Sequence, residues 1–580
     1  MALIDKASLL MVPSTYEAGK LYNVLPSGNR APDNKGGAGY DQTRADFDFD
    51  RGSNAAATRI NSSGLIEKYR ENVLLQSNNF GTTWATTNAS VTSGQSGYDG
   101  LNNAWELKEN TSTGVHEIIQ TLSVSTGVQT YSLKVSANTR SKMALVLAGS
   151  AFNSGGNGVG IFNLTNGTLI SSSGSLIDAK ITSLGGNWYD VSITKLASSS
   201  SAVAVVQLVD DSNNTTYAGN GTGSILIQSA QLESGLCSTE YLNSTSVTAK
   251  AGVLIDLPRI NYDANGENGA LLLEPSRQQL IPFSEYFNAS GWTKSSGVVI
   301  TDNAAQSPEG LNNASYVQFG AASKLIAIST SLSTGVSCSS SCYIKGTAGE
   351  TIKIAAGGVD SSNITLTGEW QRIEHTATSI NSSFNINTFG GVTARNVYIF
   401  GAMMEAGSYS TSYIPNHGTS GGVTRAADSC SVTGASDVIG QTEGTLFFEC
   451  TNKALLSFAR YFGISDGTTT NRIDIYHHTS DRLAIYVATS GVAQVNAQNV
   501  DLPASGSFKF ALAYANNDYV WYVNGLQIGT DTSASVPLCD TANIGTESLG
   551  TAAGGNSPFK QAALFNEALS DSELATLTTL

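Results

Sequence analysis

The chain writes one passage twice. RINSSGLIEKYRENVLLQSNNF runs from Arg59 to Phe80, and RINYDANGENGALLLEPSRQQLIPFSEYF from Arg259 to Phe287. Each copy opens on Arg-Ile-Asn, crosses a Gly/Asn/Ser turn, and carries an apolar run into an aromatic followed by Trp84 or Trp292. Further matches keep the same order: GLNNA from Gly100 and from Gly310, STGV from Ser125 and from Ser333, Gly186-Asn-Trp188 and Gly368-Glu-Trp370. AQLESGLCSTEYL (Ala230 to Leu242) then aligns without gaps to AMMEAGSYSTSYI (Ala402 to Ile414). Ordered matches define an internal repeat, so the chain must build one fold twice, the second time with shorter loops.

Inside each copy the apolar residues recur with period two, as in YSLKVSAN, SAVAVVQLVD and GSILIQSAQLE, or TIKIAAGGV and ARNVYIFGAMME. Alternation bounded by Gly, Ser and Asn predicts antiparallel strands with one buried face. With eight or more such strands, each copy reads as a β-sandwich of jelly-roll type. Composition agrees: 59 Gly and 13% charged residues leave little of the Lys, Glu and Arg that cover helices. A chain of 580 residues also exceeds one core and predicts three or four compact units.

From about Gly444 the texture changes to a third unit. In FKFALAYANNDYVWYVNGLQIG two alternating strands flank Asn516-Asn517-Asp518, and a second turn follows at Asn524-Gly525, which predicts a meander. Only the last dozen residues read as helical, with Ser570 and Glu573 spaced as a capping box. At the other end, SLLMVPS and GKLYNVLPS read as two short strands before a Gly/Asn/Asp-rich stretch to about Tyr40. That segment cannot bury a core alone and must dock on its own chain or on a partner.

Several function classes are disfavoured. A net charge of −15 with pI near 4.8 argues against nucleic acid, whose recognition begins with clustered Lys and Arg. No apolar run approaches the roughly 18 residues that span a bilayer, and Asp5 stands where a secretory signal would be positive, so cytoplasmic synthesis is expected. Cys237, Cys338, Cys342, Cys430, Cys450 and Cys539 are too irregular for a disulfide framework and read as buried thiols; Cys338 and Cys342 share a strand face. His477 and His478, adjacent in a strand, point to opposite faces and read as exposed positions; His116, His375 and His417 stand alone. With no nucleophile, metal or paired-acid motif, the expectation is a non-enzyme with no metal ligand set and no cofactor. Acidic turns such as Asp466-Gly467 are the candidate calcium positions, although most such turns bind nothing.

Sugar binding needs less machinery, a flat aromatic beside hydrogen-bonding groups on a rigid sheet. Tyr476, Tyr486, Tyr519 and Trp521 lie on alternating strands that would present such a face, and Tyr519 and Trp521 share one side of theirs. The pattern leaves open whether that side is a groove or the core. Trp84 and Trp292, after turn-rich stretches, are further candidates, whereas Trp188 and Trp370 are expected in cores.

YVWYVNGLQIG, ANIGTES and ALFNEALSDSELATL resemble the concanavalin A-like or laminin-G-like lectin sandwich. NVLLQSNNFGTTWATTNASVTSGQSGYDGLNNAWEL and QLESGLCSTEYLNSTSVT resemble the carbohydrate-binding-module-like jelly rolls of tailed-bacteriophage appendages, and SLLMVPSTYEAGKLYNVLPS is similar to the start of such virion proteins. The resemblance implies an all-β, multidomain protein of tandem antiparallel β-sandwiches. Residues 1–71 would anchor it to other virion proteins, 72–245 and 279–416 would be the jelly rolls, and 444–580 the lectin sandwich. Residues 246–278 and 417–443 would be joints. It further implies a virion fibre, assembled in the host cytoplasm and exposed on the particle, that binds host surface glycans as a homotrimer; a passive decoration and a polysaccharide-degrading enzyme are the alternatives.

The doubled passage stands before each sandwich, with a partial echo, VTRAADSCSVTG, before the third. It gathers no catalytic residue types, so it reads as a joint, with Arg59, Arg259 and Arg425 expected at interdomain or intersubunit contacts.

Overall fold

The computed structural model describes residues 3–15, 48–54, 56–390, 393–452, 459–478, 482–502, 506–545 and 558–580. Its described residues form antiparallel sheets in three sandwiches, as the alternating sequence predicts. The expected strand within Gly19–Ser27 lies outside the described residues.

The repeat becomes one topology used twice. In the first jelly roll one sheet runs Ala89–Gln95, Ala104–Glu109, Ser224–Ser234, Gly127–Ala137, Trp188–Ala197, Asp178–Gly185. In the second the order is Val298–Ala305, Ala314–Phe319, Arg395–Ala406, Ser337–Gly346, Gln371–Thr378. Even the bulges correspond. Register slips between Ser132 and Lys134 in one copy and between Ser341 and Tyr343 in the other, opposite Ser229 (φ 55°) and Gly401 (φ 64°). The aligned Ala230 and Ala402 follow those bulges directly. A bulge re-aims the side chains beyond it, so its recurrence keeps the same faces inward in both copies.

Asn72 and Gln279 perform one task in both copies. The Asn72 amide donates to the carbonyls of Ala230 and Leu242 and accepts from the N–H groups of Leu74 and Leu232. Gln279 donates to Ala402 and Ile414 and accepts from Ile281 and Met404, the aligned positions. Both are wholly buried, and each satisfies four backbone groups that would otherwise be stranded.

The third sandwich is assembled from four parts of the chain. Its eight-stranded sheet includes Glu443–Asn452, Gly506–Ala515, Asp518–Val523 and Phe559–Phe565, but also Leu9–Met11 and the short strands Ile260–Asn261 and Ala270–Leu271. Asp48–Asp50 pairs with Ser429–Val432 in its seven-stranded sheet. Leu9, Met11, Ile260 and Leu271 share one core with Phe448 and Phe510. The opening strand therefore docks on its own chain, and the expected 246–278 joint supplies sheet strands. Without Leu9–Met11 and Ala270–Leu271, Phe559–Phe565 would expose unpaired groups along one edge. The two jelly rolls are excursions from this sandwich, each closed by a two-stranded stem: Arg70–Asn72 with Ala249–Ala251, and Arg277–Gln279 with Val423–Arg425.

Where the excursions meet, charges are buried. Arg259 grips Asp428 with two nitrogens and Glu274 at 2.9 Å; Arg425 reaches the same Glu274 at 2.8 Å, and Arg51 lies 3.5 Å from Asp428. Arg259 and Arg425 thus tie together segments far apart in the chain. Arg59 pairs with Glu67 at 2.7 Å across its own hairpin, because the strand register sets them opposite one another.

The predicted ends hold. Asn524 (φ 48°) and Gly525 (φ 83°) make the second turn, and the terminal helix Asp571–Thr578 begins on the Ser570–Glu573 capping box. All six cysteines are free.

Candidate functional site

The outward face of the second jelly roll's five-stranded sheet carries Tyr343, Lys345, Arg372, Glu374 and Tyr398, because the alternate residues Ile344, Ile373 and Val397 face the core. The Thr58–Ile60 and Ile66–Lys68 hairpin stands over this face: Ile66 donates its N–H to the carbonyl of Pro308 at 3.0 Å and packs with Phe400 and Tyr413. The second Arg-Ile-Asn hairpin stands beside the first, Ile60 N–H donating to Asn261 Oδ1 and Tyr262 N–H to the Ile60 carbonyl. Between hairpins and sheet lies a cleft of about 1170 Å³.

Five half-buried rings line it: Tyr262, Tyr343, Trp370, Tyr398 and Tyr409. Four of them are held from behind. Tyr398 stacks on Tyr316 (4.9 Å, 37°), Arg372 lies 5.9 Å from the Tyr343 ring, Arg277 lies 5.1 Å from Tyr409, and the Trp370 indole donates to the Gln306 carbonyl. Between the rings stand polar groups from Arg59, Asn261, Thr376 and the run Ser408 to Ser412. Rigid aromatic faces interleaved with donors and acceptors are what a polar ligand with apolar ring faces requires.

Glu274 lines the cleft floor, and Glu405 is buried behind Thr411. Burial raises the Glu274 carboxyl, but Arg425 and Arg259 overcome that and hold it at about 2. Burial likewise raises Glu405, and here Thr411 and Arg425 only partly offset it, leaving it at about 7. Arg372 pairs with Glu374 at 2.8 Å and donates to the Thr411 carbonyl.

The aromatic residues singled out in the sequence lie elsewhere. Trp84 and Trp292 are core locks: each packs on a buried Phe, Phe80 at 5.1 Å and Phe287 at 4.9 Å. Their indoles donate to the carbonyls of Gln76 and Phe283, aligned positions that fix both rings inward. Tyr519 and Trp521 share one face, as expected, and it is the core, with Trp521 seated against Gly529 where a Cβ would approach to 2.4 Å. Tyr476 is buried under Arg460 and offers no open ring, whereas Tyr486 is half-buried beneath Arg472. His477 is buried, not an exposed strand position, since it ends the inward face of Arg472–His477.

Trp188, expected in a core, is buried on the outward face against Tyr98, 6.3 Å between centroids. Its partner in the repeat, Trp370, lines the cleft. The two copies diverge at this spot: Lys134 opposite Asp190 in one, Tyr343 opposite Arg372 in the other. The signal for the cleft was present in the outward tyrosines of SCYIKG and RNVYIF, but it needed the strand faces to be assigned. At Asp466-Gly467 the carboxylate accepts from Thr468 and Asn471, and among the described residues no three His, Cys, Asp or Glu gather around a metal position. Among them, too, no helix is long and apolar enough to cross a membrane.

No family model and no curated protein matches the chain. Among solved structures, the CBM40 module of the Ruminococcus gnavus IT-sialidase is similar at 20% identity, covering 25% of this chain and 87% of that one, with a TM-score of 0.23. The NanB sialidase from Streptococcus pneumoniae is similar at 18% identity over 25% of each chain, TM-score 0.23. Domain 4 of AbnA, a GH43 extracellular arabinanase from Geobacillus stearothermophilus, is similar at 11% identity over 26% of this chain and 73% of that one, TM-score 0.23. The likeness spans about a quarter of the chain.

Proposed function

We propose that this protein is a bacteriophage virion appendage that binds host cell-surface carbohydrate, and that the cleft on the second jelly roll is the binding site. The observation that carries the binding reading is the set of five rings around hydrogen-bonding groups in that cleft. The virion reading rests on the resemblance of the jelly-roll and amino-terminal sequences, with attachment to other virion proteins and a homotrimeric assembly.

A glycan array probed with the full chain and with Trp370→Ala tests the binding role. Binding that falls at least about tenfold in the variant is expected; an array with no bound glycan rejects the role and leaves a passive decoration. Release of new reducing ends from a bound polysaccharide would establish an enzyme instead. Immunogold labelling of virions, and the oligomeric mass in solution, test the appendage and trimer readings.

A further inference from the structure

Two carboxylates surround one lysine at the foot of the first hairpin. Lys68 Nζ donates to Glu285 Oε1 at 3.0 Å and lies 2.6 Å from Glu309 Oε1. The Lys68 side chain is 14% exposed, those of Glu285 and Glu309 only 1% and 2%, and Nζ lies 5.9 Å from the centre of the Phe400 ring. Glu309 turns its second oxygen to Asn313, whose Nδ2 donates to Oε2 at 2.8 Å. One buried carboxylate thus bridges an amine and a carboxamide. The backbone keeps them together: Ile66 N–H donates to the Pro308 carbonyl, so the Ile66–Lys68 strand runs beside the 307–313 loop. Asn313 is buried, and among the described residues its Oδ1 has no hydrogen-bond partner, a condition that a purely structural amide avoids. The repeat supplies a comparison. Asp99 and Asn103, the aligned residues of the first copy, are joined by the same bond at 2.8 Å, but that pair is exposed, and Gln228 instead of a lysine reaches its carboxylate.

We propose that Lys68 and Asn313 become joined by an isopeptide bond, which the protein forms on itself with loss of ammonia. Glu309 accepts one proton from the Lys68 ammonium and frees the Nζ lone pair to attack Asn313 Cγ. As the Cγ–Nδ2 bond breaks, Glu309 delivers a proton to Nδ2 and takes a second one from Nζ. Nζ keeps its last hydrogen as the new amide N–H, neutral ammonia departs, and Glu309 retains one proton. Charge is conserved, since an ammonium between two carboxylates becomes a carboxylic acid beside one carboxylate. The amine therefore has two acids for two tasks: Glu285 holds it, and Glu309 carries the protons. Burial, with Glu285 acting in the same direction, keeps the Glu309 carboxyl above the usual carboxylate range although Lys68 partly offsets it, which suits Glu309 to hold a proton. A cavity of about 350 Å³ lined by Lys68, Asn313 and His417 borders the site and receives the ammonia. The bond clamps the hairpin to the second jelly roll and closes the first jelly roll within a covalent loop.

The test is the mass of the denatured full chain, followed by peptide mapping. The mass is expected to fall short of the sequence by one ammonia, with a branched peptide that carries both Lys68 and Asn313. Lys68→Arg, Asn313→Ala and Glu309→Gln should each show the full mass of their own sequence, whereas Asn103→Ala, in the exposed pair, should keep the deficit. Full mass with linear peptides at both positions in the unaltered chain overturns the proposal, whether or not the variants fold. A deficit that persists in Lys68→Arg assigns the lost ammonia to cyclisation of an asparagine on its own backbone and overturns it equally.

Discussion

Gly64 and Gly266 meet turn to turn. A Cβ on Gly64 would stand 2.2 Å from the Ala264 carbonyl oxygen, and one on Gly266 would stand 2.1 Å from that of Ser62. The two copies of the Arg-Ile-Asn passage, some two hundred residues apart in sequence, are packed against each other and form one wall of the cleft. Both glycines have positive φ (73° and 77°), so alanine at either adds backbone strain to the collision. Gly64→Ala or Gly266→Ala should each cost roughly 2 kcal/mol or more. Chemical denaturation of the full chain checks this, and unchanged midpoints would mean the turns do not touch.

Arg259 and Asp428 separate a structural charge from a surface one. Both are buried, so Arg259→Ala leaves Asp428 only the more distant Arg51, and Asp428→Ala takes the carboxylate from Arg51 and leaves Arg259 only Glu274; each loss is expected at about 3 to 5 kcal/mol. Arg59→Ala breaks only the pair within its hairpin and should cost under about 1 kcal/mol. Limited proteolysis at the stems should accelerate in the first two variants and not in the third. Equal behaviour of all three would refute the division of roles.

Residues 444–580 should not fold alone. They lack Leu9–Met11, Ile260–Asn261, Ala270–Leu271 and Ser429–Val432, all of which sit in their sheets. The isolated fragment is expected to unfold without a cooperative transition and to expose apolar surface to dye. A sharp thermal transition in the fragment would show that these strands are dispensable.

The foot of the first hairpin is sensitive to acid. Lys68 bridges Glu285 at 3.0 Å and Glu309 at 2.6 Å, and His417 Nδ1 lies 3.8 Å from Glu285. Burial pushes His417 down to about 4, more than Glu285 can restore. A base whose folded pKa is depressed leaves the unfolded chain binding the extra proton. Its stability contribution is therefore complete above about 6.5 and is lost as pH falls toward 4, by at most about 3 kcal/mol. Glu405, raised to about 7, acts in the opposite sense: its contribution is present at low pH and is lost as pH rises through 7. Thermal midpoints between pH 4 and 8 should thus flatten on the acid side in His417→Gln and on the neutral side in Glu405→Gln. Curves unchanged in both variants would remove these groups from the pH response.

The sequence by itself determined the class of fold, the duplication, the meander turn at Asn524-Gly525 and the capping box at Ser570. These are local signals: period two, φ > 0 at Asn-Gly and a three-residue spacing are all read within a dozen residues. Tyr519 and Trp521 mark the limit. Period two placed them on one face, but which face is inward depends on a second sheet that the strand's own sequence does not contain.

Only the tertiary structure decided that Trp84 and Trp292 lock cores while Trp370 opens on a cleft, and that Leu9 pairs with Leu564. A strand edge is completed by backbone N–H and C=O groups, which every residue but proline carries, so the partner leaves no mark in the residues themselves. The doubled passage shows both sides of this. Its repetition was written in the chain, but its pairing with itself at Gly64 and Gly266 arises only when both excursions return to the third sandwich.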